Sequence, residues 1–249
     1  MSPAATSFGR PHRHLRRTDS TNARAKELTE AGAPSGLVVT AAEQTAGRGR
    51  QGRTWFAPPG TALLYSALLR PERALPLLPL AVPLAVCEAA EGVAPVRCQV
   101  KWPNDVWIEE RKLAGILIES RPELGGGGWA VIGVGINVAV PEAEFPEELR
   151  AHATSLSPDA DSGPSVAETL WELNGALGRW VEASDEEVLG AFRARDALSG
   201  RSIGWEGGAG TAVGIDSSGH LLVETAPGEE VALGAGEVHL SLRGTETEP

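Results

Sequence analysis

The sequence predicts an α+β protein, a larger unit of interleaved strands and helices followed by a small all-β unit. Three observations carry this. Short apolar runs bounded by turn residues recur between 37 and 138, as strands require. Val166, Leu170, Leu173, Leu177 and Val181 then recur at helical spacing. After Ser199 the helical period is gone, and glycines separate short alternating runs such as HLLVE. A chain of 249 residues, 42% of them apolar, can build a core for such an arrangement.

In chain order, residues 1–18 read as a flexible N-terminal tail. Asp19, Ser20, Thr21 and Asn22 supply cap-type residues before a helix over 23–31, closed by Gly32 and Pro34. Strands are expected at 37–43 and 62–69. A buried helix over 75–92 carries its prolines near the start. Strands at 96–102, 112–120 and 129–138 follow, the last two joined by a glycine turn at 125–128. The stretch 141–164, rich in Pro, Ser and Asp, reads as a surface loop. A helix through 166–181 and a shorter one near 186–195 complete a domain spanning 19–198. Residues 199–245 are left for a small barrel of five or so strands.

Composition narrows the function. A net charge of −11 argues against nucleic-acid binding by the protein as a whole. Two cysteines, Cys87 and Cys98, are too few for a disulfide framework and lack metal-ligand spacing, so they read as buried thiols. The apolar run 75–87 is too short to cross a bilayer and is broken by prolines. No charged-then-apolar leader opens the chain, and a cytoplasmic protein that avoids membranes is expected.

Against this acidic background, residues 47–55 read GRGRQGRTW. Gly47, Gly49 and Gly52 fit a dinucleotide fingerprint, and Gly47, Gly52, Arg53 and Thr54 nearly fit a phosphate loop. Both motifs need a helix immediately afterwards to supply amide donors to phosphate. Here Trp55, Phe56 and Ala57 run into Pro58, Pro59 and Gly60, which makes a helix improbable. The loop therefore joins strand to strand. Its arginines, Arg48, Arg50 and Arg53, offer bidentate bonds to carboxylate or phosphate, while a plain solvated loop is the bland alternative.

Alternation in the 129–138 strand puts Val131, Gly133, Gly135 and Asn137 on one face and an ordinary apolar row on the other. The bare face admits either a ligand or a closely crossing helix. In 112–120, alternation groups Lys112 with Ala114, Ile116 and Ile118, opposite Gly115. KWPND (101–105) closes one strand at Pro103 and brings Lys101 near Asp105 through a turn. Lysine there can bind phosphate, and the acid can hold Mg2+ or accept a proton; a simple turn is the alternative. Taken together, these groups suit charge handling on a nucleotide.

Ser20-Thr21-Asn22, Gln44 with GRGRQGRTW, KWPND, KLAGILIE (112–119) and GVGIN (133–137) resemble, in that order, the biotin–protein ligases. The close match runs over roughly 17–140. The resemblance implies a mixed central β-sheet with flanking helices, like that of class II aminoacyl-tRNA synthetases, and an SH3-like C-terminal barrel. It implies an enzyme that joins biotin and ATP into biotinyl-5′-adenylate and passes biotin to a lysine of a biotin carboxyl carrier domain. On that resemblance Ser20, Thr21, Asn22 and Gln44 hold the biotin head. Gly47, Arg48, Gly49 and Arg50 close over it, and Gly115 lines the same site. Arg48, Arg50 and Lys112 neutralise the biotin carboxylate and α-phosphate, and Lys101 handles phosphate. Asp105 serves Mg2+ or the incoming lysine, Asn137 reads adenine, and Trp55 orders the loop against it. The catalytic set is thus Arg50, Lys101, Asp105 and Lys112, with ATP and Mg2+ required and no redox cofactor.

Gln51 departs from relatives that carry a basic residue there, which weakens the local charge slightly. Eighteen residues before Asp19 cannot form a DNA-binding winged helix, so a ligase without repressor activity and without DNA as a partner is expected. Edge strands would serve a homodimer or the carrier, and the letters leave that open. A lipoate–protein ligase and a non-catalytic biotin or adenylate sensor are the competing readings.

Overall fold

A computed structural model describes residues 7–121, 128–157, 163–234, 236 and 238–240. The centre is a seven-stranded sheet built from β1 (His12–Leu15), β2 (Val38–Ala41), β3 (Ala62–Leu69), β4 (Gln99–Lys101), β5 (Asp105–Ile108), β6 (Arg111–Arg121) and β7 (Trp129–Asn137). Its order is β1-β2-β3-β7-β6-β5-β4. Only β1 and β2 run parallel; every other neighbouring pair is antiparallel, so the sheet is mixed. The glycine turn expected at 125–128 falls, except for Gly128, outside the described residues.

The two faces of the sheet are covered unequally, and this creates the site. On one face α2 (Leu78–Val93) and α4 (Val166–Glu182) pack against Leu63, Tyr65, Ile132, Val134 and Ile136 in the large core. Helix α2 is apolar on nearly all sides, as a helix enclosed by sheet, α4 and α5 (Asp185–Arg195) must be. Helices α4 and α5 each begin with a capping box, Ser165 with Glu168 and Ser184 with Glu187. On the other face α1 (Thr21–Glu30) sits on the sheet, over a small cluster of Ala25, Leu37, Val39, Leu68 and Val131. That cluster ends at β7.

Four expectations change. Residues 12–15 are not part of a loose tail; they form β1, hydrogen-bonded along β2, and Phe8 before them is buried. No apolar alternation marks HRHL, because main-chain pairing makes this strand; Thr40 Oγ1 also lies within hydrogen-bond reach of both His12 and His14. Asn104 does sit in a turn, yet Asp105 already begins β5, in register opposite Lys101. The stretch 141–157 is no plain surface loop: it carries α3 (Glu147–Arg150), buries Phe145, and pairs with Lys112 through Lys112 N–H to His152 O at 2.7 Å. Finally, Val106 pairs with Ala114 but Trp107 with Lys112, so Leu113 is an extra residue in β6. A β-bulge inverts the alternation beyond it. Lys112 therefore shares a face with Gly115, not with Ala114 and Ile116 as unbroken alternation requires.

A second sheet follows, of β8 (Ser202–Trp205), β9 (Gly208–Ile215), β10 (Leu221–Ala226), β11 (Glu229–Leu233) and β12 (Val238–Leu240), wholly antiparallel in the order β11-β10-β9-β8-β12. Its inner residues Ile203, Ile215, Leu221, Val223 and Val238 extend the large core. Gly219, at φ +82, turns between β9 and β10 and accepts a hydrogen bond from Trp102 Nε1 at 3.1 Å. A methyl group there would press on Leu77 and Leu80.

A half-buried ion pair ties α5 to α2. Arg195 donates two bonds to Glu91, at 2.6 and 2.7 Å, and Glu91 also accepts from Cys98 N–H at 2.9 Å. Burial alone would push the Glu91 carboxyl up, but these bonds and the charges of Arg195 and Arg97 hold it below its ordinary value. A lowered carboxyl contributes stability that is present above the unfolded value, about 4.5, and lost as pH falls through the folded one. Glu91→Gln should therefore flatten the acid limb of a plot of melting temperature against pH; an unchanged limb would remove this pair from acid stability.

Candidate active site

The uncovered face of β5, β6 and β7, roofed by the β2–β3 connection, encloses a cavity of about 250 Å3. Its neutral end is the first turn of α1. Ser20 is the N-cap residue but makes no side-chain capping bond. Thr21 donates its backbone N–H to Gln44 Oε1 at 2.7 Å, with Thr21 Oγ1 2.9 Å from the same oxygen. Ser66, buried within β3, places Oγ 2.8 Å from Thr21 Oγ1 and 2.5 Å from Asn22 Oδ1.

The basic loop forms the roof. Its backbone doubles back through Gly49 N–H to Arg53 O at 2.6 Å and Trp55 N–H to Gly47 O at 3.1 Å. Arg50–Gly52 make one 3-10 turn at the tip, where Gln51 and Gly52 both have positive φ, 55° and +76°. No α-helix follows the glycines, in keeping with a strand-to-strand connection. Arg50 Nη1 donates to Asn104 Oδ1 at 3.1 Å, and Asn104 is itself fixed to β6 by Nδ2–H to Ile116 O at 3.1 Å.

The floor is backbone. A Cβ on Gly135 would lie 2.5 Å from Trp55 Cε2, and one on Gly115 would lie 3.0 Å from Trp55 Cζ3. A Cβ on Gly133 would strike the Asn22 amide. The bare strand thus admits two protein side chains, an indole and an amide, flat against the sheet. Lys112 Nζ stands 5.7 Å from the Trp55 ring centre, in cation–π range, and 2.7 Å from Asp105 Oδ1. The latter contact is an ion pair whose angles are poor for a hydrogen bond. Among the cavity-lining residues, Asp105 Oδ1, Trp55 Nε1 and Asn137 Oδ1 are buried with no hydrogen-bond partner among the described residues. Asn137 Nδ2 is held by Thr154 O at 2.9 Å, which fixes that oxygen's direction.

Of the residues singled out in the sequence, Ser20, Thr21, Asn22, Gln44, Arg48, Gly49, Arg50, Trp55, Asp105, Lys112, Gly115 and Asn137 line this one cavity. Lys101 and Gly47 do not. Lys101 Nζ lies 5.4 Å from the Trp107 ring centre and borders an adjacent narrow crevice with Arg53, Gly236 and Val238. Gly47 leaves room for the Trp55 carbonyl, which would lie 2.9 Å from a Cβ there. Sequence reasoning missed Asn104, Phe145 and His152 on the walls, and Ser66, which hydrogen-bonds to Thr21 and Asn22. Serine within ALLYSALL was a legible signal, as was Phe145 in a polar stretch; nothing marked His152.

A neutral donor–acceptor pocket continuous with a cationic roof, on a mixed sheet with a C-terminal all-β unit, defines a class. The model of the Biotin/lipoate A/B protein ligase family matches residues 14–137, and that of the Biotin protein ligase C terminal domain matches 209–241. The biotin–[acetyl-CoA-carboxylase] ligase of Mycobacterium tuberculosis is 34% identical over 239 residues, covering 89% of this chain and 85% of that protein. The biotin protein ligase from Aquifex aeolicus in complex with biotin and ATP is similar at a TM-score of 0.78 and 29% identity, over 92% of this chain and 99% of that one. The Leishmania major biotin protein ligase in complex with biotinyl-5-AMP is similar at a TM-score of 0.63 and 28% identity, over 90% and 98%. The chain belongs to the biotin protein ligase family and is a biotin ligase enzyme.

The indole on glycine gives a test. Gly135→Ala should displace Trp55 at an overpacking cost of about 1–3 kcal/mol while the surrounding ladder persists. Ligase activity should fall about tenfold, and adding Trp55→Ala to that variant should cost much less than Trp55→Ala costs alone. Independent, additive losses would mean that Gly135 does not act through Trp55.

Proposed function

We propose that the enzyme condenses biotin with ATP to biotinyl-5′-AMP and pyrophosphate, then transfers biotin to a lysine of a biotin carboxyl carrier domain of a carboxylase. The observation that carries this is the continuity of one cavity from the uncharged cluster at Ser20, Thr21 and Gln44 to the cations Arg48, Arg50 and Lys112. A polar uncharged ring suits the first end, and a carboxylate meeting a phosphate suits the second. The Aquifex aeolicus relative holds biotin and ATP, the Leishmania major relative holds biotinyl-5-AMP, and the Mycobacterium tuberculosis relative is named for acetyl-CoA carboxylase. These support the reading.

In the first step the biotin carboxylate attacks the α-phosphorus, forming a C–O–P mixed anhydride as pyrophosphate leaves. Charge grows on the phosphoryl oxygens, and pre-positioned Arg48, Arg50 and Lys112 stabilise it without reorganising. Arg50 is pre-positioned by Asn104, and Lys112 by Asp105 and the bulge at Leu113. Lys101, in the adjoining crevice, is placed for the departing phosphates rather than for the anhydride. Asn137 Oδ1, fixed through Nδ2 and without a partner among the described residues, would serve the purine as an acceptor, with Trp55 beside it. The roof excludes water from an anhydride that hydrolyses readily.

The residues do not fit a resident Mg2+. Asp105 is the one carboxylate lining the cavity among the described residues, and Lys112 already neutralises it. No cluster of three or more His, Cys, Asp or Glu side chains suited to a metal occurs among the described residues. The divalent ion belongs to the ATP substrate. Asp105 is instead placed to take the proton from the incoming lysine, whose neutral amine attacks the acyl carbon and expels AMP.

ATP–pyrophosphate exchange with biotin, with lipoate and with no acid decides the reading. Exchange driven by biotin alone is expected. Exchange driven by lipoate alone would retain the adenylation and overturn the substrate, and none with either acid would overturn catalysis. Asp105→Asn should slow single-turnover transfer from preformed adenylate to the carrier about a hundredfold, the low end for general-base catalysis. An equal loss in both half-reactions would place Asp105 in charge balance only.

A further inference from the structure

Glu119 lies outside the cavity but touches its neutral end through Asn22. Asn22 Nδ2 donates to Glu119 Oε2 at 2.9 Å and to Leu117 O at 3.3 Å, while Lys26 Nζ meets the other Glu119 oxygen at 2.6 Å. Burial would push the Glu119 carboxyl up, but hydrogen bonds from Lys26 and Asn22 and the charges of Lys26 and Arg48 hold it below its ordinary value. At neutral pH it is therefore an ionised, acceptor-only group.

Proton counting then runs inward. An acceptor-only carboxylate forces the Asn22 NH2 toward itself, so Asn22 Oδ1 must face Ser66. Ser66 has one proton and an oxygen 2.5 Å away that can only accept, so it donates to Asn22. Thr21 N–H forces the Gln44 oxygen inward, leaving the Gln44 NH2 as a donor elsewhere. The Thr21 hydroxyl can direct its proton to Ser66 Oγ or Gln44 Oε1, both inside the cluster. Either way Thr21 Oγ1 keeps lone-pair capacity for a ligand N–H.

We propose that Glu119, backed by Lys26, sets the donor and acceptor order of the Asn22–Ser66–Thr21 chain, and so is a positioning residue for recognition of the biotin ureido N–H. This rests on the biotin reading above. Lys26 makes the proposal specific. In Glu119→Gln the lysine ammonium draws the new carboxamide oxygen to itself, turning its NH2 toward Asn22. Two NH2 groups cannot face each other favourably, so Asn22 must turn over or lose its bond. Asn22 then offers Ser66 a donor, and the chain reverses. Removing the ammonium as well, in Lys26→Met with Glu119→Gln, frees the carboxamide to offer its oxygen to Asn22 again.

The test is steady-state ATP–pyrophosphate exchange with melting temperatures measured in parallel. Glu119→Gln should raise the biotin KM about tenfold, the upper end of one net hydrogen bond, with kcat and ATP KM within about twofold. The double variant should recover most of that loss. An unchanged biotin KM in Glu119→Gln overturns the proposal, as does a double variant no better than Glu119→Gln. A joint loss of kcat, ATP KM and melting temperature would also overturn it, by showing a general structural role. If the wild type shows no biotin-dependent exchange, the biotin reading fails instead, so the two failures are distinguishable.

Discussion

The site depends on one steric constraint: two side chains must lie flat on sheet backbone. Gly133 and Gly115 or Gly135 make this possible, receiving Asn22 from α1 and Trp55 from the basic loop. Their neighbours Ile132, Val134 and Ile136 fill the core on the reverse side. β7 is therefore closely packed beneath and bare above, and the cost of glycine within a strand is offset by central pairing on both edges. A Cβ at Gly133 or Gly135 would collide with Asn22 or Trp55 and separate roof from floor.

Around that contact the site separates charge along its length. Arginines and Lys112 gather at one end of an acidic protein, with Asp105 as their counter-charge in the cavity. At the other end the nearest ion pair, Lys26 with Glu119, is kept behind Asn22, so that uncharged groups meet the ligand. Electrostatic effects are strongest where water is excluded, which makes the placement of each charge matter more than the count.

The outer elements hold this geometry in place. The 141–157 segment pairs with Lys112 and fixes Asn137 through Thr154 O. The C-terminal sheet grips Trp102, two residues before Asn104 and three before Asp105, through Gly219 O. A shift of the second sheet would be felt at the turn that holds Arg50.

By itself the sequence determined the fold class, the helical period over 166–181, the strand-to-strand character of the basic loop, and the bare face of 129–138, because each follows from local periodicity or backbone chemistry. It also named most of the residues that gather at the cavity, since their chemistry sits in compact stretches. Three features were decided by tertiary structure alone. Strand β1 exists through main-chain pairing with β2, which no side-chain pattern reports. Lys112 faces the cavity because cross-strand register inserts Leu113 as a bulge, and alternation read from one strand cannot count its partner's residues. The role of Glu119 depends on Asn22 and Ser66, far away in sequence, arriving where the proton order can pass between them.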